Sequence, residues 1–153
     1  MNPGCSRERR IQKYKSVDTG RVYHHPPIVH YAKLSAGGQA VSFNFMEYMS
    51  VLSVYKFLQP KQIIFHTYTD MIGKYWDAIR AWRNVQVEVN KIPRVSLIGG
   101  RRPRYIEHEA DYVKLNALHR HGGVTLDFDV IIVNGTQEQR LSECVLAECQ
   151  CWL

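Results

Sequence analysis

His121-Gly-Gly-Val-Thr-Leu-Asp-Phe-Asp129 is the stretch on which the fold turns, because the hydrophobic period changes within it. Upstream, Ile106, Ala110, Val113 and Ala117, with Leu118 beside them, recur at i, i+4, i+7 and i+11, the spacing of an amphipathic helix. Gly122 is placed to stop that helix, since glycine adopts the positive-φ conformation that closes one, and His119, Arg120 and His121 stand near its negative end. Downstream, Val124 to Val133 reads as a strand almost without interruption.

Side chains on a strand alternate between faces, so this spacing puts Thr125, Asp127 and Asp129 on one side and Val124, Leu126 and Phe128 on the other. Residues i and i+2 are ~6.6 Å apart along a strand, so both carboxylates can reach one hard divalent cation or its bound waters. Among apolar neighbours the two charges repel and call for a cation or hydrogen-bond donors. Magnesium and manganese suit oxygen ligands and commonly keep phosphate oxygens in their remaining positions, so the pair predicts a metal site that holds a diphosphate. Two acids around one residue are common by chance. The apolar strand and the preceding Gly-Gly stop give this pair its weight.

Working outward, the same alternation repeats. Residues 1–24 are polar and basic without a period, end before His25-Pro26-Pro27, and read as a tail. Ile28 to Tyr31 suits a first buried strand, and Ala36-Gly-Gly38 a loop. From Ser42, read as the N-cap, Phe45, Met46, Met49, Leu52, Val54 and Phe57 recur at near-helical spacing until Gln59-Pro60, which predicts a core-facing helix. Lys61 to Thr67 reads as a second strand and Tyr68 to Asp70 as a loop. Trp76, Ile79 and Trp82 mark a short helix from about Gly73, and Val85, Val87 and Val89 a third strand. Strand and helix in turn predict one α/β domain over 25–136 with a mainly parallel sheet, whose ligands collect at the carboxyl ends of strands; 137–153 reads as a C-terminal tail.

The bulk numbers narrow the alternatives. A chain of 153 residues with 45% apolar and 22% charged residues can close a core unaided and is not disordered as a whole. The net charge of +6 suits a phosphorylated ligand, an anionic surface or nucleic acid. Its basic clusters, Arg7 to Lys15 and Arg101, Arg102 and Arg104, lack the interleaved aromatics that stack bases, so nucleic acid is not the expected partner. Cys5, Cys144, Cys149 and Cys151 lack the paired Cys-x2-Cys spacing of structural zinc. No apolar run is long enough to span a membrane, and Met1 to Tyr14 is too polar for a signal peptide. Asn134-Gly-Thr136 is a glycosylation sequon, usable only in a secretory compartment.

Helix, Gly-Gly, strand and Asp-x-Asp together resemble the sugar-binding region of the family 32 glycosyltransferases, relatives of the α-1,4-galactosyl-, α-1,4-N-acetylglucosaminyl- and yeast initiating mannosyltransferases. The matching residues are Asp111-Tyr-Val-Lys114, Leu118 and Gly122-Gly-Val-Thr-Leu-Asp-Phe-Asp129. Pro27-Ile-Val-His30 is similar to the family's first strand, so the resemblance covers roughly residues 26 to 135. Lys114 stands where the family has arginine, and Thr125 where it has tyrosine.

The resemblance implies a GT-A type nucleotide-diphospho-sugar transferase, a Rossmann-like α/β fold, here incomplete at its C-terminal side. It implies that Asp129 coordinates Mn²⁺ or Mg²⁺ and that Asp127 contacts the metal or the donor's ribose. Asp111 would hold the donor's sugar or nucleoside, Lys114 would stand in for the arginine, and His30 would face the nucleotide. Gly122 and Gly123 would permit close backbone approach. The donor would be a nucleotide-diphospho-sugar, a UDP-sugar first among them, and the acceptor a glycan or glycolipid hydroxyl, with retention of configuration. The family's compartment is the Golgi lumen, reached behind an N-terminal anchor; read as complete, this sequence would stay cytoplasmic. A non-catalytic remnant that keeps the nucleotide pocket is the alternative reading. His66, His108, His119 and His121 read as surface or packing residues, and Glu107 and Glu109 as solvated.

Overall fold

Short apolar runs that each follow a proline or a loop line up side by side as parallel strands. The computed structural model describes residues 28–133; both predicted tails, all four cysteines and the sequon at Asn134 lie outside the described residues. Strands β1 (Ile28–Ala32), β3 (Gln62–Thr67), β5 (Gln86–Lys91) and β6 (Val124–Thr125) form one sheet in the order β5-β3-β1-β6, with every pair parallel. The sheet grows from β1 through β3 to β5 and then returns to the far side of β1 for β6. That reversal makes the β1/β6 boundary a topological switch point, where α/β sheets bind ligands beyond their strand ends.

Pleating sorts the strands' residues onto two faces. On one, Val29, Tyr31, Ile63 and Phe65 are fully buried against Val51 of helix α1 (Phe45–Ser53), Val54, and Trp76 and Ile79 of helix α2 (Lys74–Arg80). Rings do much of the filling: Phe43 meets Phe65 edge-on at 5.6 Å and Trp76 stacked at 6.1 Å. The other face carries His30, Ile64 and His66, all buried, and helix α3 (Ile106–His121) lies against β1 and β6 with Val113 and Ala117 turned inward.

Several boundaries differ from the sequence reading. The N-cap of α1 is Asn44, whereas Ser42 belongs to a short strand β2 (Val41–Ser42) paired in parallel with β4 (Met71–Ile72), inside the span read as a loop and helix start. Asn44 is better placed because its side chain accepts from the Glu47 N–H while Glu47 accepts from the Asn44 N–H, a reciprocal capping box. The apolar stripe does not begin in the core, since Phe45 and Met46 are 56% and 57% exposed. After Ser53 the backbone widens into a π-helical turn, Val54–Leu58, and ends at Gln59 with φ +47 before Pro60. Val85 is buried but precedes β5.

Asn44→Ala should therefore cost about 1 kcal/mol of unfolding free energy by urea titration, with Ser42→Ala changing less. Equal costs would mean that the box does not hold the helix end.

Candidate functional site

Strand β6 is much shorter than its apolar run predicts. Pairing with β1 covers Val29↔Val124 and His30↔Thr125, the Leu126 N–H still reaches the His30 carbonyl at 3.1 Å, and the chain then turns, with Val130 N–H donating to Asp127 O at 3.2 Å. Asp127 and Asp129 are thus on a turn beyond the strand rather than within it. Alternation nevertheless persists: Leu126, Phe128 and Ile132 pack on the core while Asp127 and Asp129 are exposed.

The core side explains why the turn is held without a ladder. Phe128 stacks on Tyr31 at 4.8 Å and meets Phe43 edge-on at 5.6 Å. Ser50 Oγ, buried on α1, donates to the Val130 carbonyl at 2.6 Å, and the Ile132 N–H donates to Ser53 Oγ at 2.9 Å. The Tyr31 hydroxyl lies 3.4 Å from Ser50 Oγ, and burial first of all raises its pKa, so it stays protonated. Neither serine stood out in the sequence. Their one signal is a pair of small polar residues three apart, on a side of the helix that also carries Val51 and Val54.

Three of the expected site residues meet in one cluster. Lys114 Nζ on α3 is 2.9 Å from Asp111 Oδ1, one helical turn back, and 2.6 Å from Asp127 Oδ1 across the gap to the turn. The lysine side chain is 13% exposed and the two carboxylates 64% and 63%. Burial opposes its charge, but the bonds and charges of Asp127 and Asp111 together outweigh that effect and hold its pKa above the ordinary lysine value. Lys114 is therefore a fixed cation that neutralises one oxygen of Asp127. Asp129 has no hydrogen bond or ion pair among the described residues.

That donor set fits a hard divalent ion in one manner. No group of three or more His, Cys, Asp or Glu able to hold a metal occurs among the described residues. Two exposed carboxylates can still supply the one or two protein oxygens that Mg²⁺ or Mn²⁺ usually takes, the rest coming from water and phosphate.

His30 and the glycines sit at the base of the cluster. His30 is fully buried and is not open to a ligand: Nε2 donates to the Gly122 carbonyl at 2.9 Å, which leaves Nδ1 to accept from His66 Nε2 at 3.1 Å. The Asn90 amide in turn donates to His66 Nδ1 at 3.1 Å. Because a carbonyl can only accept, the proton order of the whole chain is set from Gly122 outward. Gly122 has φ +65 and closes α3 as expected, its N–H bonding the Leu118 carbonyl at 2.9 Å; Gly123 has φ +91. A Cβ on Gly123 would stand 2.5 Å from the Ile28 carbonyl oxygen. The close approach that glycine permits here is to β1.

One further residue departs from the sequence reading, and His66 takes the packing half of its own. Glu109 is 3% exposed and accepts from the Tyr68 hydroxyl at 2.7 Å and Arg94 at 3.4 Å, so it is a buried anchor of α3. His66 is buried with both ring nitrogens engaged. Lys33, just past β1, pairs with Glu47 and stands 5.4 Å from the Phe128 ring centre.

No known family's sequence profile matches the chain, and no solved structure matches it. Over 111 residues it is 29% identical to a protein of Cryptococcus neoformans var. grubii serotype A named "Glucan organizing enzyme 1". The match takes in 70% of this chain and 29% of that protein, so the chain spans under a third of its relative's length. The chain is thus an α/β unit with a parallel sheet, distantly similar to a protein named as an enzyme of glucan organisation. No helix among the described residues is long and apolar enough to cross a membrane.

Proposed function

We propose that this chain is the nucleotide-sugar-binding part of a metal-dependent glycosyltransferase of the GT-A type, acting on a glycan or glycolipid hydroxyl. The observation that carries the reading is the meeting of Asp111, Lys114 and Asp127 beside Asp129, which has no partner among the described residues, at the switch point of the sheet. The relative's name supports a carbohydrate setting. A bound Mn²⁺ or Mg²⁺ would supply Lewis-acid stabilisation of a nucleoside diphosphate as it leaves.

The chain's own residues divide the remaining work. Asp129 and the second oxygen of Asp127 would hold the ion. Lys114 keeps Asp111 and Asp127 at fixed spacing and offers a permanent positive charge to a phosphate or sugar hydroxyl. Asp111, exposed and held by one oxygen, has acceptor capacity left for a donor hydroxyl. Ser50, Ser53 and Phe128 keep the turn in place when charge enters or leaves.

Calorimetric titration of UDP with Mn²⁺ tests the reading. Binding should need the metal, and Asp129→Asn should weaken it by about tenfold or more, the effect of losing one charged ligand. Metal-independent heat, or none at all, would refute a donor site at these acids. The non-catalytic alternative is favoured by one observation, that Lys114 already occupies an oxygen of Asp127. Transfer of a radiolabelled sugar from UDP-sugars to glycan acceptors separates the two, since the remnant binds without turnover.

A further inference from the structure

We infer that a second ligand site, for a small hydroxylated organic phosphate, lies on the opposite flank of α3 from the acidic cluster. A cleft of about 360 Å³ opens there between α3 and the segment that follows β5, within the range of pockets that hold small molecules. Its floor includes Val113 and Ala117, both buried, together with His66 and Asn90. Arg94, Arg120 and His121 stand among its lining residues, and no aspartate or glutamate does. Asp111, Lys114, Asp127 and Asp129 are not part of it. The site therefore needs neither the acids nor a metal, and it stands independently of the function proposed above.

The free hydrogen-bonding groups define the ligand. Arg120 is exposed and has no ion pair among the described residues, so its planar guanidinium is available for bidentate contact with a phosphate. Arg94 is less free, being shared between the Ala36 carbonyl at 3.0 Å and Glu109 at 3.4 Å. His66 contributes shape alone, because both of its nitrogens are committed to His30 and Asn90. Asn90 spends one amide hydrogen on His66 and keeps its carbonyl and second hydrogen, and half-buried Asn116 has no partner among the described residues. Two amides that both donate and accept, beside a guanidinium with no ion pair among the described residues and an apolar floor, match hydroxyl groups next to a phosphate. A bare anion could take the amide hydrogens but would leave both amide carbonyls unused.

Glucose 1-phosphate is a suitable probe, titrated calorimetrically into the full chain in EDTA, with inorganic phosphate, glucuronate and glucose as comparison arms. Glucose 1-phosphate should bind, inorganic phosphate and glucuronate more weakly, and glucose without measurable heat. Arg120→Gln, at an exposed position, should weaken binding by about tenfold or more, and Asn116→Ala should weaken it further, while Asp129→Asn leaves it unchanged. Tighter binding of glucuronate would reassign the site to carboxylates and overturn the phosphate inference. No binding of glucose 1-phosphate at about 10 mM, or binding indifferent to both cleft variants, would overturn it outright. Such a failure alongside intact Mn²⁺-dependent UDP binding would leave the acidic site standing, and the converse result would do the reverse.

Discussion

Gly123→Ala should lower the unfolding free energy by roughly 2 kcal/mol more than Gly122→Ala, measured by urea titration of the two variants side by side. Both glycines have positive φ, +65 and +91, so an alanine at either place carries a conformational penalty of order 1–3 kcal/mol. The difference lies in what the new methyl group meets. At Gly122 no atom of the described residues stands within 4 Å, whereas at Gly123 the Ile28 carbonyl oxygen is 2.5 Å away and the Ile28 Cβ 3.1 Å. That oxygen is backbone in β1, next to Val29, which pairs with both Ile63 and Val124, so it cannot retreat without disturbing the sheet. The strain would also reach the turn bearing Asp127, and Gly123→Ala should weaken Mn²⁺-dependent UDP binding more than Gly122→Ala. Equal losses of stability would mean that β1 yields and that the close approach is not what glycine is there for.

Stability should also fall as the pH drops from about 6.5 towards 4, and His66 should be a main cause. Burial above all, then the charges of His30 and His121, lowers its pKa from 6.5 to about 4. His30 is shifted in the same direction, again chiefly by burial. A histidine whose folded pKa is depressed takes up its proton first in the unfolded chain. The unfolded state then binds more protons between the two values, and stability rises with pH across that window. The full contribution is present above about 6.5 and is lost as the pH falls towards 4.

The geometry gives the same sign, since a protonated His66 would turn an Nδ1–H against the Asn90 amide N–H that donates to that nitrogen. Carboxylates titrate in the same range, so the informative quantity is the difference between the wild-type chain and His66→Gln, whose amide can still donate to His30. Urea midpoints at about pH 7.5 and about pH 4.5 should fall further in the wild type than in the variant. Parallel losses would show that His66 does not titrate in this window.

Much of the architecture was written in periodicity. Ile63-Ile64-Phe65 read as a buried strand, and the series from Ile106 to Ala117 as a helix that ends at Gly122, and both are found. Spacing paired Asp127 with Asp129, whereas Asp111 and Lys114 were named only through the family resemblance, and it is the folded chain that brings Asp111, Lys114 and Asp127 together. Asn44 over Ser42, by contrast, was settled by the reciprocal bond from Glu47, and Glu109 was read as solvated because its partners, Tyr68 and Arg94, lie 41 and 15 residues away.

The linear chain carried the order of the four strands of the main sheet and of the three helices, the glycine stop and the alternation of acids with apolar residues from Val124 onward, all consequences of local sterics and of the need to bury one face; the short pair β2 and β4 left no such mark. Where β6 ends was decided only in three dimensions: Ser50 and Ser53 of a distant helix capture the backbone after Asp127, and Phe128 stacks on Tyr31, so the chain leaves the sheet although its composition would let it continue. The same holds for His30. Its place on a strand was legible, but its use in holding Gly122 depended on His66 and Asn90 arriving from two other strands, and a chain of hydrogen bonds across strands leaves no periodic trace in a linear sequence.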